Sequence, residues 1–253
     1  MKGIKPHTHQ DRSKIINALI PQMKKKYGEN FVALAADGSF ARGEDREYSD
    51  LELVVFLNKI NSHQSEPLRA IIDGLYIVII PETKESFIEK YLDISDVWYA
   101  SGAGKLLPII NEEFIAKINS FKPENVESKC LQQVQKRWVF YQEITAKLLN
   151  EIKKENKNAL PLIFSDMMKE ILVLLSFLNV TPYKTLGSYV SQAKMFKILP
   201  KNFDSLLDIY IKGDYRELEE MGKVADTVFS SMEEILEEKG IHVYKQKDYR
   251  EIF

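Results

Sequence analysis

Apolar residues follow two different rhythms along this chain, and the change of rhythm divides it. Before residue 122 they come in short solid runs: FVALAA at 31–36, LELVVFL at 51–57 and LYIVII at 75–80. Runs of that length, bounded by turn residues, predict buried strands. Pro81 is expected to close the third. Ahead of them Ile15, Ile16, Leu19, Ile20 and Met23 mark one face of a helix, with Asp11 as its N-cap, Pro21 as a bend and Gly28 as its end. Further helices are predicted over 84–92 and 111–119. After Phe121-Lys122-Pro123 the spacing turns helical throughout. One long helix is predicted from Glu124 to about Asn156, and a strongly apolar one opens at Leu160-Pro161 and ends near Asn179. Weaker helices follow at 186–197, 202–212 and 214–239, and the tail IHVYK is expected to return as a strand. The pattern predicts an α+β protein. Residues 1–122 form a domain with a small mixed sheet and helices, and residues 123–253 form a helical bundle.

Composition narrows the function. The chain has 253 residues, 45% of them hydrophobic, and a formal net charge of −2, which argues against a general nucleic-acid binder. Its one cysteine, Cys130, excludes an internal disulfide framework and points to a reducing, cytoplasmic setting. One Cys with scattered histidines makes a zinc cluster a poor reading. His7 and His9 stand close together, but in an N-terminus that reads as frayed. The first residues lack a signal-peptide pattern, and the longest apolar run, ILVLLSFLNV at 171–180, is too short to span a bilayer.

The chemistry concentrates in AADGSFARGEDREYSDLELVVF, residues 35–56. A strand ends, and Gly38 permits a tight turn whose backbone N–H groups, with a helix start behind them, suit an anion. Ser39 adds a hydroxyl and Arg42 a charged donor. Ser49-Asp50-Leu51-Glu52 then opens the next strand. Asp50 and Glu52 stand two residues apart, so both point to the same side. They repel each other unless a cation sits between them, and Mg²⁺ prefers a carboxylate or two together with phosphate oxygens. Cradle and acid pair fit one ligand, a metal-chelated nucleoside triphosphate. The blander alternative is an ordinary turn followed by acids on a solvated strand edge.

Gly38-Ser39 followed by Ser49-Asp50-Leu51-Glu52 on an apolar strand resembles the signature of the DNA polymerase beta-type nucleotidyltransferase superfamily. GSFARG with YSDLE most resembles its kanamycin nucleotidyltransferase-like, aminoglycoside-modifying members. The resemblance implies transfer of AMP from ATP to a hydroxyl of an aminoglycoside-like small molecule, with Mg²⁺ on Asp50 and Glu52 and pyrophosphate released. It implies that Gly38, Ser39, Arg42 and Ser49 bind the phosphates and that the enzyme is a homodimer. It also implies a general base on the first long helix of the second domain. Glu143 matches by its spacing to Pro161 and Tyr183, and Lys147, one turn on, matches a lysine that steadies the α-phosphate.

Three departures stand out. The superfamily's third carboxylate belongs on the next strand, where this chain has Tyr76, Ile77, Val78 and Ile79, flanked by Asp73 and Glu82. Asp37 puts an acid beside the phosphate cradle. Further acids before the general base are replaced by Trp138-Val139-Phe140-Tyr141-Gln142, so Trp138 and Tyr141 become candidates for stacking on a less cationic acceptor, such as a lincosamide. Two alternatives stay open: transfer to a protein or RNA, and a non-catalytic nucleotide-binding or dimerisation relative.

Overall fold

The computed structural model describes residues 3–61, 66–102, 105–213 and 215–243. Residues 1–124 with 184–186 form one compact unit, and residues 125–183 with 187–253 form the other. The fold is α+β, a mixed five-stranded sheet with helices followed by a helical region.

The first unit runs α1 (His9–Tyr27), β1 (Phe31–Asp37), α2 (Gly38–Ala41), β2 (Leu51–Leu57), β3 (Leu68–Ile72), β4 (Leu75–Glu82), α3 (Lys84–Phe87), β5 (Leu107–Ile110) and α4 (Glu112–Asn119). A π turn, Ile88–Leu92, extends α3. The sheet order is β3-β4-β2-β1-β5. Only β2 and β4 pair in parallel; the other neighbours are antiparallel. β2 is central and covered on both faces, which is why it reads as an unbroken apolar run. Leu51, Leu53 and Val55 face Ile16 and Met23 of α1, together with Leu34 and Ala36 of β1. Val54 and Phe56 face the opposite way, with Ala33 and Ala35, against Phe87, Ile115 and Ile118. Burying a side chain such as Phe56 stabilises the unit by about 1.5–3 kcal/mol.

Several boundaries differ from the sequence reading. The Thr8 hydroxyl caps α1 by accepting from the Asp11 N–H, and the Asp11 carboxylate accepts from the Thr8 N–H in return. Asp11 is therefore the far half of a capping box rather than the cap. The N-terminus is not frayed at His7, which is buried and hydrogen-bonded through Nε2 to the Asp73 carbonyl at 3.0 Å. Pro81 does not close β4, which continues to Glu82. β3 pairs with β4 only as far as Ile79, so the missing N–H of Pro81 meets no outer strand. β3 and β5, the two edge strands, were not predicted.

The second unit contains α5 (Val126–Lys153), α6 (Leu160–Leu178), α7 (Tyr189–Ala193), α8 (Phe203–Lys212) and α9 (Leu218–Glu238). α6 is apolar on nearly every side because its neighbours cover it: Phe164, Ile171, Leu174 and Leu175 are all fully buried. Of the tail expected as a strand, Ile241–Val243 carry no strand; Tyr244 and Lys245 lie outside the described residues. Among the described residues no helix is long and apolar enough to cross a membrane.

Candidate functional site

One end of the sheet collects the acids. Strand alternation puts Asp37, at the end of β1, on the same face as Ala33 and Ala35, and Asp37 pairs across the strands with Glu52. Glu52 in turn sits beside Val78 on β4, and Val78 beside Arg69 on β3. Asp50 is exposed immediately before β2, whose register with β4 begins at Leu51 opposite Ile77. Asp50 lies just outside β2, so strand alternation does not fix its direction, but its charge is close enough to act on Glu52. The place next to Glu52 on the parallel neighbour holds a valine, not a third acid. A third carboxylate arrives from the other side, as Asp37.

Asp73 and Glu82 do not substitute for the missing acid. Asp73 occupies the β3–β4 turn with φ 49°, followed by Gly74 with φ 83°. Glu82 pairs with Phe56 at the opposite end of β2. It is buried there, hydrogen-bonded by Ser86 and ion-paired with Lys90 at 2.8 Å.

Gly38 is required by the turn. Its φ is +68°, and a Cβ on it would lie 2.2 Å from Glu52 Oε2. Its N–H does not face outward for an anion, since it donates to the Asp37 carboxylate at 2.7 Å. The next residues fold back tightly, with Gly43 N–H on the Phe40 carbonyl and Glu44 N–H on the Ser39 carbonyl. The Ser39 hydroxyl makes no hydrogen bond to the described residues. The Ser49 hydroxyl is engaged within its own loop, accepting from the Arg46 N–H at 3.0 Å. Arg42 Nε donates to Glu44 at 2.9 Å.

The electrostatics follow from this crowding. Burial, then the neighbouring charges of Asp50 and Asp37, push the Glu52 carboxyl up from its usual 4.5 to about 7, and the Arg42 charge only partly opposes them. Burial also raises Asp37, against the Gly38 N–H and Arg42. Three acids with a single opposing guanidinium form a region short of positive charge. Among the described residues no three His, Cys, Asp or Glu side chains are grouped tightly enough to enclose a metal ion by themselves. The donor set fits a hard cation held by two carboxylates and completed by ligand oxygens, the usual way with Mg²⁺.

In the helical unit Glu143 and Lys147 lie one turn apart on the exposed side of α5, ion-paired at 2.8 Å. Trp138 and Tyr141 are not available to stack on an acceptor. Both are buried, their rings packed on Phe229 at 5.0 and 5.6 Å between centroids. The residues between them are the exposed ones: Val139 at 59% and Phe140 at 58%. Tyr183 is buried as well, and its hydroxyl donates to the Leu172 carbonyl at 2.7 Å.

Sequence reasoning missed Arg12 and Asp45, which shape this end of the sheet, and passed over His9 as part of a frayed terminus. Arg12 and Asp45 form an ion pair at 3.1 Å with side-chain exposures of 0% and 2%, and His9 reaches Asp45 from the other side at 2.7 Å. A charged residue falling within the apolar rhythm of α1 was the available signal for Arg12.

Residues 125–242, just under half the chain, match the family model described as the KNTase C-terminal domain. Among solved structures the chain resembles a nucleotidyltransferase-like protein from Exiguobacterium sibiricum 255-15, with a TM-score of 0.50 and 10% sequence identity. The likeness covers 90% of this chain and 76% of that one, and at this identity it concerns the fold. No curated protein matches the chain.

Proposed function

We propose that the protein is a nucleotidyltransferase that moves a nucleoside monophosphate, AMP from ATP, onto a hydroxyl of an aminoglycoside-like small molecule and releases pyrophosphate. The observation that carries this reading is the carboxylate row Asp37, Glu52 and Asp50 beside the Gly38-Ser39 turn. The matched helical domain and the fold likeness support it.

In this reading Asp50 and Glu52 hold Mg²⁺. When bound, the ion neutralises charge on the triphosphate and on the departing pyrophosphate. The Ser39 hydroxyl donates to a phosphate oxygen, and Arg42 exchanges Glu44 for the β- or γ-phosphate. Ser49, tied into its own loop, acts by shaping the approach to Asp50. Glu143 accepts the proton of the acceptor hydroxyl. That oxygen then bonds to the α-phosphorus as the bond to pyrophosphate breaks. Lys147 is freed from its pairing as Glu143 takes the proton, and its charge can turn to the α-phosphate. Glu143 acts from its own subunit or, in a homodimer, from the partner.

A second reading is a nucleotide-binding relative without turnover, favoured by Val78 and Tyr76 where the third acid is expected. Pyrophosphate release from ATP and Mg²⁺ against a panel of aminoglycosides and lincosamides separates the two. Turnover with one acceptor, lost in Asp50→Ala and Glu143→Ala, is the expected result. Metal-dependent ATP binding with no turnover on any acceptor favours the second reading. No metal-dependent ATP binding at all contradicts both.

A further inference from the structure

We propose that Arg12, Asp45 and His9 act as a positioning clamp that ties the Ser39 turn to the strand entrance at Asp50. This rests on the nucleotide-binding reading above.

Arg12 is fully buried on α1, and its guanidinium is committed almost entirely to one loop. It donates to the carbonyls of Arg46 at 2.8 Å, Glu47 at 3.3 Å and Ser49 at 2.6 Å, and to Asp45 Oδ2 at 3.1 Å. The carbonyl of His7, on the N-terminal side of α1, takes a further bond at 2.8 Å. A buried guanidinium needs nearly every donor matched, so this one is satisfied only while residues 45–49 hold this shape. Ser49 immediately precedes Asp50, so the Arg12–Ser49 bond fixes where β2 starts to present its acids.

The second arm runs the other way. Asp45 Oδ1 pairs with His9 Nδ1 at 2.7 Å. The His9 ring stacks flat on Phe40, with centroids 4.2 Å apart and planes 9° from parallel. Phe40 follows Ser39 in α2. One face of α1 therefore grips both ends of the loop that separates the phosphate-binding turn from the carboxylates. None of the three side chains is among the groups assigned to phosphate or metal. They set the distance between groups that are, and a misplacement of about 1 Å can cost roughly a hundredfold in rate.

The test compares wild type with Arg12→Lys, Asp45→Asn and His9→Leu in the full chain. Lysine keeps the charge but not the fork. His9 has a half-exposed side chain, so its replacement guards against variants that fail to fold. Two quantities are read: affinity for the α,β-methylene analogue of ATP with Mg²⁺, and hydrogen exchange of the amides of residues 39–50. The clamp predicts at least tenfold weaker binding at a temperature where each variant is folded. It predicts exchange about tenfold faster within 39–50 while β1 and β2 stay protected. A purely structural role would lower the unfolding midpoint and leave the affinity of the folded protein unchanged. Affinities within twofold of wild type with unchanged loop exchange overturn the clamp. Absence of Mg²⁺-dependent binding in wild type instead overturns the nucleotide reading, and loop exchange then still decides whether the clamp exists.

Discussion

Replacing Glu52 by glutamine removes one charge from the crowded acid row while keeping nearly the same shape. In the folded protein the Glu52 carboxyl titrates at about 7, against a usual 4.5. Below pH 4.5 it is protonated whether the chain is folded or not, and its neutral form fits the buried site. As the pH rises towards 7 the unfolded chain gives up this proton more readily than the folded one, so the stability of the neutral form is progressively lost. Above 7 the loss is complete. At about 1.36 kcal/mol per pH unit this comes to roughly 3 kcal/mol, which solvent at the open side of the site reduces to about 1–3 kcal/mol. Glu52→Gln keeps the neutral form at every pH. Urea unfolding of both proteins from pH 5 to 8.5 in EDTA should show near-equal stability at the acid end and a more stable variant at the alkaline end. Added Mg²⁺ at pH 8 should stabilise wild type and not Glu52→Gln. A gap that does not change with pH, or a variant less stable than wild type at pH 8, would refute the electrostatic argument.

Three other outcomes follow from the same geometry. Gly38→Ala strains a positive φ and drives a Cβ into Glu52, so it should destabilise the first unit by about 1–3 kcal/mol and abolish nucleotide binding; urea unfolding and calorimetry read the two effects. Glu143→Gln breaks only an exposed helix pair, so stability should change by less than about 0.5 kcal/mol, while turnover falls at least about a hundredfold if it is the base. Trp138→Ala opens a cavity beside Tyr141 and Phe229 and should cost about 3–5 kcal/mol of stability, without changing KM for the acceptor in the folded protein.

What was legible in the sequence depended on how local its cause was. β1 and β2 are central and buried, so continuous apolar runs gave their extent to within a residue. β3 lies at the sheet edge with all five residues exposed, and its short apolar run, Leu68-Arg69-Ala70-Ile71-Ile72, is interrupted by Arg69 and does not alternate. Asp73-Gly74, a strong short hairpin signal, stood at its end and went unread. β5 carries Pro108, which a strand tolerates at an edge but which hides it from pattern reading. In the site, Gly38, Ser39, Asp50 and Glu52 form a local signature and could be picked out together. Asp37 drew notice as an anomaly, and only the pairing register puts it opposite Glu52. Arg12 and Ser49 meet across 37 residues of sequence, a partnership no spacing rule encodes. Trp138 and Tyr141 misled because helical spacing alone does not say which face of α5 packs inward; for these two rings Phe229 of α9 is the partner that covers them.

On the proposed function, the acid row beside Gly38-Ser39 binds a metal-chelated nucleoside triphosphate. Titration calorimetry of the full chain with ATP, with Mg²⁺ and then with EDTA, tests it most directly when repeated on Asp50→Asn. Saturable binding with Mg²⁺, lost in EDTA and weakened at least tenfold by Asp50→Asn, is the expected result. Absence of binding, or binding indifferent to both EDTA and the substitution, would contradict it.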